Sequence, residues 1–359
     1  MIKYIIKRLA LAILILVGVS IIIYTMVRIK PGLDFVQVKF SQQLQFDETG
    51  EIKKQMEKQR EYYGLTQSIP RGYIKWLSQV VQGDWGDSFI FSVDTGKFEY
   101  LYDSEGNQLI DDQGNPLTKA ISSSNTIDII ANKCGISFVL ALIATVLQFA
   151  IAIPLGIISA TKQYGVMDYT VTVLAMMGIS LPSFFFGALL LRIFSIELGW
   201  FPYGGLNDPN SGLPKLLDNM HHLVLPITVL VILSIGGLMR YTRTNMLEVL
   251  NADYIRTARA KGLSEHKVIY KHAFRNTMIP LVTILAGILP GLFGGSMITE
   301  QVFSIEGIGK TAYRAVIQGD IPFVMAYNMF LSILTVIGTL LSDIMYAVVD
   351  PRVKLTGGN

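Results

Sequence analysis

Residues with the means to do chemistry are few in this chain and lie far apart. Gly307-Ile308-Gly309-Lys310-Thr311 has the ending of a phosphate-binding loop, in which glycine amides cradle phosphates and a lysine reaches the outer ones. That pattern needs another glycine at position 304, where this chain has Ser304. A second stretch repeats itself: Asp103-Ser-Glu-Gly106-Asn107-Gln-Leu109, then Asp111-Asp-Gln-Gly114-Asn115-Pro-Leu117. Carboxylates and glycines so arranged suggest calcium, but the spacing is not that of an EF-hand loop, and paired β-turns in a small hairpin are the stronger reading. The adjacent His221 and His222 mark the start of an interfacial helix. Cys134 is the single cysteine and has no intrachain partner. Neither H-E-x-x-H nor G-x-S-x-G occurs, which weakens the case for a membrane enzyme.

The elements that would hold these residues are set by an unusual shortage of charge. Of 359 residues 51% are hydrophobic and only 16% charged, with a mean hydropathy of +0.45. Soluble domains carry roughly 25% charge. Disordered chains, collagens, disulfide scaffolds and ordinary cytosolic enzymes are excluded. Six runs contain no charge at all: Leu9 to Val27, Cys134 to Thr161, Tyr169 to Leu191, Asn219 to Met239, Asn276 to Thr299 and Ile321 to Ser342. Each has 19 or more residues, and about 20 residues at about 1.5 Å rise cross a hydrocarbon core. Six transmembrane helices are expected. Lys3, Lys7 and Arg8 precede the first run as in a secretory signal, but the run is long, and Arg28-Ile29-Lys30-Pro31 follows it instead of small residues. It reads as a retained helix.

Lys and Arg orient the chain. With the N-terminus inside, segments 1–8, 161–168, 240–275 and 350–359 hold 14 basic residues against 4 in the two short outside loops. Both termini are expected in the cytoplasm. The net charge of +3 then belongs to the inner membrane face, where anionic lipid accounts for it without nucleic acid. This topology puts Lys310 outside, so no nucleotide binding is expected there.

The chain divides into 1–27 (cytoplasmic end and first helix), 28–133 (outside), 134–349 (a helical core) and 350–359 (cytoplasmic tail). The outside segment opens with a charged helical stretch, Asp47 to Tyr63, then Gly64-Leu65-Thr66 and an aromatic-bearing stretch from Tyr73 to Trp85. Beyond Gly86 it turns to alternation, Phe98, Tyr100 and Tyr102 marking a half-buried strand within a hairpin-like insertion over about 89–120.

The inside segment 240–275 has different punctuation. Asn251 suits an N-cap, Gly262 a C′ residue and Ser264 a second N-cap, so two short helices should meet at a corner. Leu247, Leu250, Tyr254 and Ala258 fall at helical spacing and predict its apolar stripe. Too polar for lipid and too structured for a linker, this element is shaped to dock.

Here a family resemblance enters. Asp253-Tyr-Ile-Arg-Thr-Ala-Arg-Ala-Lys-Gly262 resembles the EAA loop of ABC importer permeases, in the form found in B-type subunits of the oligopeptide and dipeptide permease family. Gly83-Asp-Trp-Gly-Asp-Ser88, Ile153-Pro154-Leu-Gly156, Glu300-Gln-Val-Phe303-Ser-Ile-Glu-Gly307-Ile-Gly309 and Asp350-Pro351-Arg352 are similar to the same family. Departures exist: Arg256 and Thr257 replace the glutamate and first alanine of the loop, and the stretch from Ser88 to about Ala120 resembles an insertion. The resemblance implies an all-α polytopic fold of the type I ABC importer permease class, with a small extracellular α/β insertion between helices 1 and 2. It implies a non-catalytic subunit without cofactor, whose partner ATPases bind ATP and Mg. Its further implied partners are a C-type permease, two cytoplasmic ATPase subunits, an extracellular binding protein, membrane lipid and a peptide substrate. Nickel or another small solute is the alternative cargo. Carried over by position, Asp253, Tyr254, Arg256, Thr257, Ala258, Arg259, Ala260, Gly262, Leu263 and Ser264 are the expected ATPase contact, with small Ala258 and Ala260 permitting close approach.

The path is sketched more lightly. Gly287, Gly291 and Gly295 form a small-residue ridge that suits helix packing, with Gly291 also a path candidate. Met297, Glu300 and Phe303 are candidates for an outer gate, and Pro182, Pro226 and Pro290 for kinks. Asp343 interrupts the sixth run's end near the inner surface, where structural pairing is favoured over proton coupling. An ion-coupled secondary transporter, the competing class, would place ionisable groups near the midplane and often shows inverted repeats. Neither is found in the sequence.

Overall fold

The computed structural model describes residues 2–29, 34–100 and 117–349. The turns of the Asp/Gly repeat, Tyr102 and the closing Asp350-Pro351-Arg352 lie outside the described residues. Along the chain run α1 (Ile2–Ile29), α2 (Phe35–Leu44), α3 (Glu51–Tyr62), α4 (Ile69–Val81), β1 (Val93–Tyr100), β2 (Thr118–Ser123), α5 (Thr126–Thr161), α6 (Val166–Ser180) and α7 (Ser183–Leu190). Then come α8 (Lys215–Leu250), α9 (Asp253–Ala260), α10 (Phe274–Gly287), α11 (Leu289–Gly294), α12 (Met297–Val302), α13 (Ile308–Gln318) and α14 (Ile321–Val349). They form two compact units: Met1–Leu14 with Cys134–Thr311 and Ile333–Asn359, and Ile15–Lys133 with Ala312–Ser332.

Helices α1, α5, α8 and α14 are each long and apolar enough to cross a membrane, and they coincide with four of the uncharged runs. The other two runs are not single helices. The third bends by 100° between α6 and α7, where Leu181 is extended (φ −78°, ψ 128°) ahead of Pro182, as a residue before proline must be to avoid its ring. The fifth breaks into α10, α11 and α12. Pro290 at the head of α11 lacks an N–H for the preceding turn, and Gly295 leaves the helix at φ +70°. Pro226, by contrast, sits inside an unbroken α8.

In the first unit α5 and α6 press against α8 through glycines. A Cβ on Gly178 would lie 2.7 Å from the Ile232 carbonyl oxygen, and one on Gly156 2.7 Å from Thr242 Cβ. Of the three glycines of the expected ridge on the fifth run, a Cβ on Gly295 would come 2.5 Å from Gly309 N, whereas Gly287 and Gly291 meet nothing within 4 Å among the described residues. Close packing between the long helices uses Gly156 and Gly178 of the second and third runs and Gly236 of the fourth, whose Cβ would collide with the Ala175 carbonyl oxygen. In the same unit, Arg8 pairs with Asp343 at 3.0 Å.

In the second unit the far half of α1 is tied to the short helices. The Ser20 hydroxyl meets that of Tyr73 at 2.9 Å, Tyr24 donates to the Tyr63 carbonyl at 3.0 Å, and the Arg28 guanidinium donates to the Leu65 and Gln67 carbonyls, both at 2.6 Å. Helix α2 was not expected; its signal is Asp34-x-x-Gln37, which closes as a capping box. Gly86 of the Gly83–Ser88 motif takes φ +83°. Ser88 then donates to Asp320 Oδ2 at 2.5 Å, and Phe89 N to Oδ1 at 3.1 Å. Strands β1 and β2 pair antiparallel, Val93 with Ser123 through Tyr100 with Thr118. Phe98 is 63% exposed, so β1 is not the half-buried strand its alternation implied: a two-stranded ribbon has no second layer to bury it.

Candidate functional site

The corner expected in segment 240–275 forms because α8 stops at Asn251. Asn251 is helical, and its side-chain amide donates to the Leu247 carbonyl at 2.9 Å; the N-cap position of α9 is taken by Ala252 (φ −71°, ψ 148°). The expected N-cap is thus displaced by one residue. After α9, Gly262 turns the chain at φ +74°, a region that costs non-glycine residues on the order of 1 kcal/mol. Ser264 stands before the next helix, its carbonyl accepting from Val268 N at 3.0 Å. Arg259 grips Glu265 across the turn, Nε to Oε1 at 2.9 Å and Nη2 to Oε2 at 3.3 Å.

Helix α9 has two faces. Ile255 and Ala258 are buried in a cluster with Ile157 and Ala160 of α5, Met246 of α8, and Val268 and Ala273 ahead of α10; Leu263 packs beside them. Asp253, Tyr254, Arg256, Thr257, Arg259, Ala260, Gly262 and Ser264 are exposed. Two expectations are corrected. Tyr254 is not on the apolar stripe, whose place Ile255 takes, and Ala258 faces inward, leaving Ala260 as the small exposed residue. The extended backbone at Ala252 resets the helical phase, so spacing counted from Leu247 does not carry into α9. One exposed polar face is thereby seated on the ends of three long elements, a geometry that can pass displacement from a docked partner into the bundle.

One turn before Met246, Arg243 holds Asp168 with two hydrogen bonds, Nε to Oδ1 and Nη2 to Oδ2, both at 2.8 Å. Ser159 of α5 also donates to Asp168, and Tyr164 N does so at 3.0 Å. This knot beside the corner was missed. Its only sequence signal is a lone acid at the mouth of an uncharged run.

The gate candidates fare differently. Glu300 is fully buried, and its carboxylate accepts from Ser137 Oγ at 2.8 Å, Ser296 N at 2.9 Å, Lys310 N at 2.9 Å and the Gly309 amide. Ser137 Oγ in turn accepts from Ile308 N at 2.9 Å. The amides of the phosphate-loop look-alike therefore cradle an anion of the chain itself. Gly309 must lack a side chain, since a Cβ would come 2.8 Å from Met297 N. Phe303, 2% exposed, belongs to a core with Leu140, Leu190, Leu223 and Ile305. Glu300 and Phe303 are thus corrected from gate to scaffold. Met297 is half-buried, and Gly291 is exposed beside a small recess.

Residues 152–355 match the family model described as "Binding-protein-dependent transport system inner membrane component", and residues 1–92 match its N-terminal companion. The chain is similar to the oligopeptide transport system permease protein AppB of Bacillus subtilis (strain 168), 36% identical over 99% of this chain and 100% of the relative. It is also similar to the dipeptide transport system permease protein DppB of the same organism, 31% identical over 99% of each. A solved structure of the MetNI methionine ABC transporter in inward-facing conformation aligns with 62% of this chain and 97% of that chain, at 15% identity and a TM-score of 0.49.

Proposed function

Because the chain belongs to the family of binding-protein-dependent transport system inner membrane components, a multi-pass, non-catalytic family working with an ATPase and a binding protein, we propose that it forms half of an ATP-driven import path for peptides. The relatives named for oligopeptide and dipeptide transport support the cargo. The observation that carries the mechanism is the two-faced α9, polar outward and seated inward through Ile255 and Ala258. In this reading Asp253, Tyr254, Arg256, Thr257, Ala260, Gly262 and Ser264 meet an ATPase subunit, Ala258 and Leu263 hold the helix in its seat, and Arg259 braces the corner through Glu265. Closure of the ATPase pair pushes α9. The cluster carries that push into α5, α8 and α10.

The second half of the path comes from a C-type permease, and both termini lie in the cytoplasm. The exposed β1–β2 ribbon docks or orients the binding protein; deleting residues 94–119 should weaken that docking, and unchanged affinity and uptake would refute it. Asp343, held by Arg8, is a structural acid in this account rather than a proton carrier. The test of the whole reading is uptake of a peptide into cells or vesicles. It should require ATP and persist with an ionophore present, and mass spectrometry of solute co-purified with the complex should find peptides. Uptake abolished by the ionophore with ATP intact would point to ion coupling instead.

A further inference from the structure

Two independent features of the first unit converge on one place. The first is the broken fifth run: non-helical backbone at membrane depth is tolerated only where it is buried in protein or lines a watery cavity, and the break at Gly295 and Ser296 lines a cavity of about 180 Å³. The second is a polar row in the uncharged run of α5, where Ser137, Thr145 and Gln148 fall on one face and line that same cavity with Ser234 of α8. Polar side chains inside a span face protein or water, not lipid. Gln148 Nε2 donates to the Ser234 carbonyl at 3.1 Å, which orients the side chain. Gly291 opens the cavity further, since a Cβ there would meet nothing within 4 Å.

We infer that this recess, bounded by Thr145, Gln148, Ser234, Gly291 and Ser296, is the solute-contact subsite that this chain contributes to the path. The inference rests on the permease reading above and narrows its cargo. Among the described residues the lining includes no charged side chain, no imidazole and no thiolate, the donors a transition-metal ion would need. Hydroxyl and amide groups both give and accept hydrogen bonds, which suits the uncharged amides of a peptide backbone passing one unit at a time. The recess is too small for a whole peptide, so the remaining surface comes from the facing subunit.

The experiment uses the complete importer, purified through a tag on this chain and reconstituted in vesicles, in a Cys134→Ala background. Thr145→Cys, Gln148→Cys and Val146→Cys are each treated with a membrane-impermeant thiol reagent, Val146 being 59% exposed on the far side of α5. Positions 145 and 148 should be modified many times faster than 146, and transported trialanine should slow their modification. Equal rates at 145, 146 and 148, or modification of 146 alone, would overturn the assignment. Gln148→Leu should lower the saturated uptake rate about tenfold, the worth of one hydrogen bond, with the half-saturating concentration unchanged. An unchanged saturated rate would remove Gln148 from the subsite. If wild-type vesicles import no trialanine, the cargo reading fails, whereas the modification pattern still decides where the path runs.

Discussion

Arg243 and Asp168 meet in a two-pronged ion pair, both contacts at 2.8 Å, with the acid 4% exposed and the base 24%. The pair joins α6 to α8, and Ser159 adds α5. Removing one partner leaves the other charge unpaired, which costs about 3–5 kcal/mol for a fully buried pair and less here, where Arg243 is 24% exposed. Asp168→Asn should therefore lower the thermal midpoint of the purified complex. The double variant Asp168→Leu/Arg243→Met should recover much of that loss, and a full cycle of single and double variants would measure the coupling.

Gly262 tests the corner with little interference from packing, because a Cβ there meets nothing within 4 Å. Gly262→Val should cost on the order of 1 kcal/mol locally through backbone strain alone. The subunit should still insert, while peptide uptake falls and ATP hydrolysis no longer follows the loaded binding protein. Gly262→Asn, which tolerates the left-handed region, should keep most uptake. Normal uptake by the valine variant would remove the corner from the coupling route.

Glu300 gathers donors from three separate stretches of chain, so its loss should be felt as instability. Glu300→Gln replaces an acceptor-only group by one that also donates, facing donors already in place. A drop on the order of 2 kcal/mol is expected, read as lower resistance to heat or protease. Gly307→Ala should be at least as harmful, since its Cβ would strike Ser137 Oγ and Glu300.

Alkaline pH should find a weak point in Tyr63. Burial holds its hydroxyl pKa well above the ordinary tyrosine value, with the charge of Asp87 adding to the effect. The unfolded chain would release this proton near pH 10, whereas the folded chain keeps it. The stability from Tyr63 is thus fully present below about pH 10 and falls as pH rises through the folded value. Tyrosinate absorbance and unfolding of the Ile15–Lys133 unit should rise together. Tyr63→Phe should blunt the fall.

Membrane thickness made four of the spans legible, because length and apolarity alone decide them. The same measure could not see the breaks at Pro182 and Gly295, where uncharged residues carry irregular backbone. Gly262 was legible as punctuation, but the phase of α9 was not. The extended Ala252 resets the count, so Ile255 rather than Tyr254 turns inward. Glu300 looked like a gate because its partners, Ser137 and the amides after Gly307, are distant in sequence and only the fold brings them together. The cavity beside Gln148 was unreadable for the same reason: its walls come from α5, α8 and the broken fifth run.

Ser20, Tyr24 and Arg28 recur every fourth position along one side of α1, and each ends in a hydrogen bond. A cylinder greasy on all sides gains nothing from lipid by facing one way rather than another, so these three bonds choose its azimuth. Hydropathy would barely register a residue inserted between Ser20 and Tyr24, yet it would swing Ser20 about 100° out of line with the other two. The helix acts as a keyed shaft, fixed in rotation by three teeth in its C-terminal half, and it tolerates exchange of its greasy residues far better than any change in their number.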